Sequence, residues 1–182
     1  MFWANDEQHI PPAQGDIVQF WGNSADIGTV ANITNKLVLS YMDYLYINVG
    51  FGFIWGEDFG QMITWAKIYD LPLTPAGISK DRILGAEATM WSEVNNENTL
   101  DDYLWVRSSA MAERLWHEEI DQDELALAQR LIDMKNLLNS RGINTQPVTV
   151  ELCERHPTNC FAATKKDIGH FATASEEKFM QI

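Results

Sequence analysis

Trp91 and Glu93 close the run Arg82-Ile83-Leu84-Gly85-Ala86-Glu87-Ala88-Thr89-Met90-Trp91-Ser92-Glu93, and an indole beside a carboxylate is chemistry suited to a sugar. A pyranose presents a C–H face that packs on indole and a rim of hydroxyls that needs charged or amide partners. Read as one buried strand, the run places Glu87, Thr89, Trp91 and Glu93 on one face, because side chains alternate along a strand. The plainer alternative keeps Trp91 in a core and Glu93 at a solvated edge. Groups of the same kind follow other short apolar runs. Trp21 follows 17–20, Tyr44 and Tyr46 follow 37–40, and Trp3 sits where a first strand would end.

Elements able to hold these groups can be read from the pattern. The apolar runs 17–21, 37–40 and 83–85 are each bounded by Gly, Asn, Asp or Pro, which predicts strands buried on both faces of a parallel sheet. Residues 24–36 suffice for a short crossover helix, and 50–75 reads as a long loop with one helical turn around 63–69. The second half is helical. Thr99 with Asp102 is a capping-box candidate for a helix to Trp116 that carries Leu104, Met111 and Leu115. Asp121 with Glu124 caps a second helix, whose Leu127, Leu131, Met134 and Leu138 form a stripe ending at Arg141-Gly142. From about Ala162 the chain reads as a loosely held tail.

Strand, helix, strand, long loop, strand, helix is the order of the later units of an α/β barrel, where ligand groups sit at the C-terminal ends of strands. The expected fold class is therefore α/β: the C-terminal half of a (β/α)8 TIM barrel, incomplete, with C-terminal helices. A full barrel usually takes roughly 250 residues, and this chain has 182. The expected division is a partial barrel over 1–146 and a C-terminal extension over 147–182.

Composition narrows the function classes. A formal net charge of −13 argues against nucleic acid as a partner, because phosphate binding is driven by clusters of Lys and Arg. No apolar run is long enough to span a bilayer, and residues 1–7 lack the pattern of a signal peptide. The four histidines are scattered without ligand spacing, so neither metal nor cofactor is expected. Cys153 and Cys160 either close a small disulfide loop in an oxidising compartment or are two unrelated thiols. Asn32-Ile33-Thr34 is a glycosylation sequon and points to the same compartment.

A series of short motifs resembles the C-terminal half of the catalytic domain in the β-N-acetylhexosaminidases of glycoside hydrolase family 20. They are Phe2-Trp3, Val18-Gln19-Phe20-Trp21, Val38-Leu39-Ser40 running on to Leu45-Tyr46-Ile47-Asn48, and Gly85-Ala86-Glu87-Ala88-Thr89-Met90-Trp91-Ser92-Glu93. Leu104-Trp105-Val106-Arg107, Ala112-Glu113-Arg114-Leu115-Trp116 and Arg141-Gly142-Ile143 follow in the family's order. The resemblance implies hydrolysis of terminal, non-reducing N-acetylhexosamine residues, GlcNAc or GalNAc, from glycans or chito-oligosaccharides. It further implies a retaining mechanism in which the substrate's own 2-acetamido oxygen attacks the anomeric carbon. In the family an adjacent Asp-Glu pair, within His-x-Gly-Gly-Asp-Glu, orients the acetamido group and protonates the leaving oxygen. No such motif occurs here, and Asp6-Glu7 lacks its neighbours. On this view the chain alone is inactive, and the alternative is a catalytically inactive carbohydrate-binding or interaction protein of the same descent.

Carried over residue by residue, the resemblance makes Tyr46 the donor to the acetamido carbonyl oxygen. Trp3, Trp21 and Trp91 wall the pocket, and Glu93 accepts from the sugar's outer hydroxyls. Asn48 stands where the family usually has Asp and can still bond a hydroxyl, without the charge. Arg107 and Arg114 are expected in barrel-end ion pairs, with Glu87 as their candidate partner. Trp55 is either a contact for a second sugar or surface packing. The resemblance also implies a lysosomal or secreted location and is compatible with a homodimer of the full-length enzyme.

Overall fold

The computed structural model describes residues 1–4, 15–48, 53–54, 57–58, 62–93, 95–117 and 123–155. Its contacts divide the chain into two compact units, Met1–Ile120 and Asp121–Ile182, a division N-terminal to the expected boundary at 146/147.

The first unit is built on parallel strands. In chain order they are β1 (Phe2–Ala4), β2 (Ile17–Phe20) and β3 (Lys36–Leu39), then a small antiparallel pair β4 (Phe53–Ile54) and β5 (Glu57–Asp58), then β6 (Ile83–Ala86). The four-stranded sheet has the order β1-β2-β3-β6, with every neighbouring pair parallel. Between β2 and β3 run a 3-10 turn (Ser24–Asp26) and the short helix α1 (Gly28–Ala31), which is the expected crossover. Helix α2 (Met42–Leu45) follows β3 directly, and α3 (Trp65–Tyr69) falls where one helical turn was expected.

Alternation along the strands sets the two faces of this sheet. Val18, Phe20, Leu37 and Leu39 are fully buried and pack with Ile27, Val30 and Ala31 from the crossover and with Tyr41, Leu45 and Leu71. Burying one such side chain stabilises by roughly 1.5–3 kcal/mol, so this face holds the layers together. The opposite face carries the other set of residues, in the register Trp3 beside Gln19, Gln19 beside Val38, Val38 beside Gly85. Hydrogen bonds fix the N-terminal ends of the strands. Arg82 Nη2 donates to the carbonyls of Ala31 and of Thr34 (2.6 Å for the latter), and Thr34 Oγ1 donates to the Asp16 carbonyl and accepts from Lys36 N.

The strand reading of 82–93 needs correction. Regular pairing ends at Ala86, and beyond it only Thr89 pairs, as an isolated parallel bridge to Tyr46. Within β6 the register shifts: Ile83 lies opposite Leu37, while Gly85 lies opposite Val38. Leu84 is therefore the extra residue of a bulge, and its side chain is 53% exposed. Gly85 adopts φ 155°, in keeping with glycine at a bulge.

Helix α4 (Leu100–Trp116) closes the first unit. It starts after Thr99 as expected, but no capping box forms: Thr99 Oγ1 accepts from Asn96 N at 3.1 Å instead of from the helix. Its buried residues are Val106, Arg107 and Ala110; of the expected stripe, Met111 packs against the core and Leu104 is partly buried, whereas Leu115 is exposed. Two residues of the Ala112-Glu113-Arg114-Leu115-Trp116 motif anchor it. Tyr69 Oη donates to Glu113 Oε2 at 2.6 Å, and Arg114 Nη2 donates to the Leu71 carbonyl at 3.2 Å.

The second unit contains α5 (Glu124–Ser140) and α6 (Thr149–Arg155). Asp123 caps α5, its carboxylate accepting from Leu125 N at 3.0 Å; Asp121 lies outside the described residues. The buried stripe is Leu127, Ala128, Leu131, Ile132 and Lys135, one position round from the expected line, and Met134 is exposed. The helix ends as its sequence predicts. Gly142 takes φ 82°, Gly142 N donates to the Asn139 carbonyl, and Ile143 N donates to the Leu138 carbonyl. Cys153 is disulfide-bonded; Cys160, its expected partner, and the tail from Ala162 lie outside the described residues.

Candidate functional site

The C-terminal ends of β1, β2, β3 and β6 all point to one rim, because every pairing in the sheet is parallel. There the structure brings together the three tryptophans singled out in the sequence. Trp3 lies 5.1 Å from Trp21 and 5.7 Å from Trp91, centroid to centroid, with the planes tilted by 30° and 41°. Tilted aromatic pairs in this distance range attract one another, so the indoles hold a common arrangement. Hydrogen bonds help place two of them: Trp21 N donates to the Ala4 carbonyl at 3.2 Å, and the Asn95 side-chain amide donates from Nδ2 to the Trp91 carbonyl at 2.9 Å.

An open cavity of about 440 Å³ lies against Trp3 and Trp91, lined by these two and by Gln19, Glu87, Ala88, Thr89 and Met90; Trp21, Tyr46 and Asn48 are not among its lining residues. Glu87 and Thr89 were placed with Trp91 by the alternation argument, and they do share its cavity although no regular strand joins them. Gln19 was missed as a site residue. The available signal was a polar side chain inside the apolar run Ile17-Val18-Gln19-Phe20-Trp21, two residues before the tryptophan and therefore on its face. Glu93 is not among the lining residues; it sits exposed in a turn after Trp91. Trp55 lies outside the described residues.

Tyr46 ends α2 and pairs through its backbone with Thr89: Thr89 N donates to the Leu45 carbonyl at 2.8 Å, and Ile47 N to the Thr89 carbonyl at 3.0 Å. Tyr46 and Asn48 are buried, and Tyr46 Oη, Asn48 Oδ1 and Thr89 Oγ1 have no hydrogen-bond partner among the described residues. A buried polar atom left without a partner costs roughly 1–3 kcal/mol, so three such atoms on the two segments joined at the Tyr46–Thr89 bridge are candidates for bonding a polar guest. Burial pushes the Tyr46 phenol above its usual range, and the nearby Trp91 side chain opposes this only in part. Tyr46 is thus a neutral hydrogen-bond donor at neutral pH.

Tyr41 and Tyr44 also have raised pKa values, from burial first and then from the neighbouring Asp43 carboxylate. A folded-state pKa above the unfolded value gives stability that is complete below the unfolded pKa of 10.0 and is lost as pH rises past it. Ultraviolet titration of tyrosinate should show Tyr41, Tyr44 and Tyr46 ionising above that value, together with loss of structure. Ionisation of all five tyrosines at the free-phenol pKa with the fold intact would contradict the burial described.

The expected role for Glu87 does not hold. Its side chain is exposed in the cavity and makes no ion pair with either arginine among the described residues. Arg107 is fully buried in α4 and donates from Nη1 to the Ile47 carbonyl at 3.3 Å; Arg114 serves the carbonyls of Leu71 and His117. Both therefore bond to backbone carbonyls. Among the described residues no group of three or more His, Cys, Asp or Glu is arranged to hold a metal, and no helix is long and apolar enough to cross a membrane.

Residues 1–119 match the family model for the catalytic domain of glycosyl hydrolase family 20. The chain belongs to that family. The chitooligosaccharidolytic β-N-acetylglucosaminidase of Ostrinia furnacalis is 33% identical over 153 residues, which cover 80% of this chain and 25% of the Ostrinia protein. Among solved structures, the family-20 β-N-acetylhexosaminidase of Streptomyces coelicolor superposes with a TM-score of 0.60 at 25% identity, over 74% of this chain and 30% of that one. The exo-β-N-acetylglucosaminidase of Vibrio harveyi, solved with N-acetylglucosamine, gives 0.64 at 23% identity, over 80% of this chain and 24% of that one, and shows the shared fold. The family-20 chain thus spans about a quarter of the length of the Ostrinia relative, and its parallel sheet with C-terminal helices is part of a TIM barrel.

Proposed function

We propose that this family-20 chain forms the sugar-holding wall of a β-N-acetylhexosaminidase acting on terminal GlcNAc or GalNAc of glycans or chito-oligosaccharides. The observation that carries the reading is the meeting of Trp3, Trp21 and Trp91 at one rim of a parallel sheet, with the buried Tyr46 hydroxyl, unpartnered among the described residues, beside the Trp91 side chain. Indoles supply an apolar wall for the sugar face and the acetamido methyl. The Tyr46 hydroxyl donates to the acetamido carbonyl oxygen, which attacks the anomeric carbon as the bond from that carbon to the leaving oxygen breaks. The proton for the leaving oxygen comes from an acid elsewhere in the complete enzyme. Asn48 bonds a sugar hydroxyl, and Glu93 accepts from the outer hydroxyls.

Tryptophan fluorescence tests the site on the complete polypeptide that carries this sequence. N-acetylglucosamine should shift and quench the emission of the indole cluster, and glucose at the same concentration should not. Equal responses to the two sugars would overturn an acetamido-reading pocket. A second reading, a carbohydrate-binding protein without turnover, is favoured by the neutral Asn48 at a position usually charged in the family. Selective binding without hydrolysis of a chromogenic N-acetylglucosaminide would decide for it. The disulfide at Cys153 and the exposed Asn32 of the sequon both suit a secreted or lysosomal protein.

A further inference from the structure

Three elements of the rim are tied to one another in series, and one tie joins side chain to side chain. Ser24, three residues after Trp21, donates from its backbone N to Asp43 Oδ1 at 2.9 Å and from Oγ to Asp43 Oδ2 at 2.7 Å. Asp43 lies in α2, three residues before Tyr46. Beside this clasp, Met42 N donates to the Gly22 carbonyl at 3.1 Å. The Tyr46 segment is in turn bonded through its backbone to Thr89, and Ser40 Oγ donates to the Glu87 carbonyl at 3.0 Å. The loop that carries Trp21, the helix that carries Tyr46 and the segment that carries Trp91 are thereby placed relative to one another.

We propose that Asp43 and Ser24 are positioning residues of the sugar site: they set the distance between the Trp21 wall and the Tyr46 hydroxyl. This rests on the reading of the site given above. Both oxygens of the carboxylate are used, and each bond is charge-assisted, so the clasp is short and directional. The two groups it joins are 19 residues apart in sequence. Asp43 and Ser24 lie outside the cavity lining, so their effect on turnover acts by placing Trp21 and Tyr46 against the lining residues Trp3 and Thr89. Positioning at this precision matters because misplacing a reacting group by about 1 Å costs on the order of a hundredfold in rate.

In the complete enzyme, Asp43→Ala should lower kcat by roughly 10–100-fold with KM changed much less, since contact is kept and alignment is lost. Asp43→Asn should recover most of the rate, because its amide can accept from Ser24 N and donate to Ser24 Oγ. The circular-dichroism exciton couplet of the stacked indoles gives a second readout that needs no sugar. It should weaken in Asp43→Ala and return in Asp43→Asn. A folded Asp43→Ala protein with parental kcat and an unchanged couplet would overturn the proposal. If the parent enzyme neither binds nor hydrolyses N-acetylhexosaminides, the sugar reading fails and the couplet alone decides the clasp. Should Asp43→Ala not fold, Ser24→Ala, which removes only the Oγ bond, is read in the same two ways.

Discussion

Tyr46→Phe in the complete enzyme should lower kcat on an N-acetylglucosaminide by roughly 10²–10³-fold while leaving KM within a few-fold, the signature of a donor that acts mainly in the transition state. The phenol oxygen is buried, has no partner among the described residues, and is kept protonated by burial. On the proposed mechanism the acetamido group becomes a cyclic, positively charged oxazolinium as its carbonyl oxygen bonds to the anomeric carbon, and its geometry must be held during that change. A fixed donor in a dry site costs no reorganisation at that moment. Phenylalanine keeps the ring and its packing beside Trp91, so a fall in rate would report the hydroxyl alone. Steady-state kinetics over a range of substrate concentrations checks this, and parental turnover in the variant would remove Tyr46 from the site.

Arg107→Ala should destabilise the first unit by on the order of 3 kcal/mol, from a lost charge-assisted bond, a carbonyl left without its donor and an unfilled volume. The side chain is fully buried, its Nη1 reaches the Ile47 carbonyl, and its guanidinium lies 5.5 Å from the Tyr103 ring centroid. A loss of that size corresponds to a fall in Tm of roughly 10 °C or more. Arg107→Lys should recover only part, because an ammonium cannot reproduce the planar fork of donors. Thermal unfolding followed by circular dichroism measures the loss. A variant melting within a degree or two of the parent would mean that α4 does not depend on this cation to hold the segment after Tyr46.

The strands were legible because apolar runs with turn residues at both ends leave little other choice, and β2, β3 and β6 fall within a residue or two of the runs at 17–21, 37–40 and 83–85. The indole cluster was legible for the same reason: if strands run parallel, residues at their C-terminal ends meet. What the sequence hid was mostly local competition. Trp91 looked like the end of a strand, but the chain leaves the ladder after Ala86 and keeps only the Thr89 bridge, a choice made by the Tyr46 segment across from it. Thr99 looked like a capping-box residue, yet its hydroxyl bonds Asn96 in the preceding turn. Glu87 looked like a partner for Arg107 and Arg114, yet it stands exposed while both arginines reach backbone carbonyls, a choice that side-chain types alone cannot reveal. The Ser24–Asp43 clasp joins residues with no pattern between them and was not legible at all.

The isolated bridge between Tyr46 and Thr89, like the bond from Trp21 N to the Ala4 carbonyl, uses only main-chain atoms. Frame and lining are therefore separable at this rim. An indole can be exchanged without unfastening the main-chain bonds beneath it. Drift in sugar preference among descendants of this scaffold needs no new topology, only different side chains hung on the same joints.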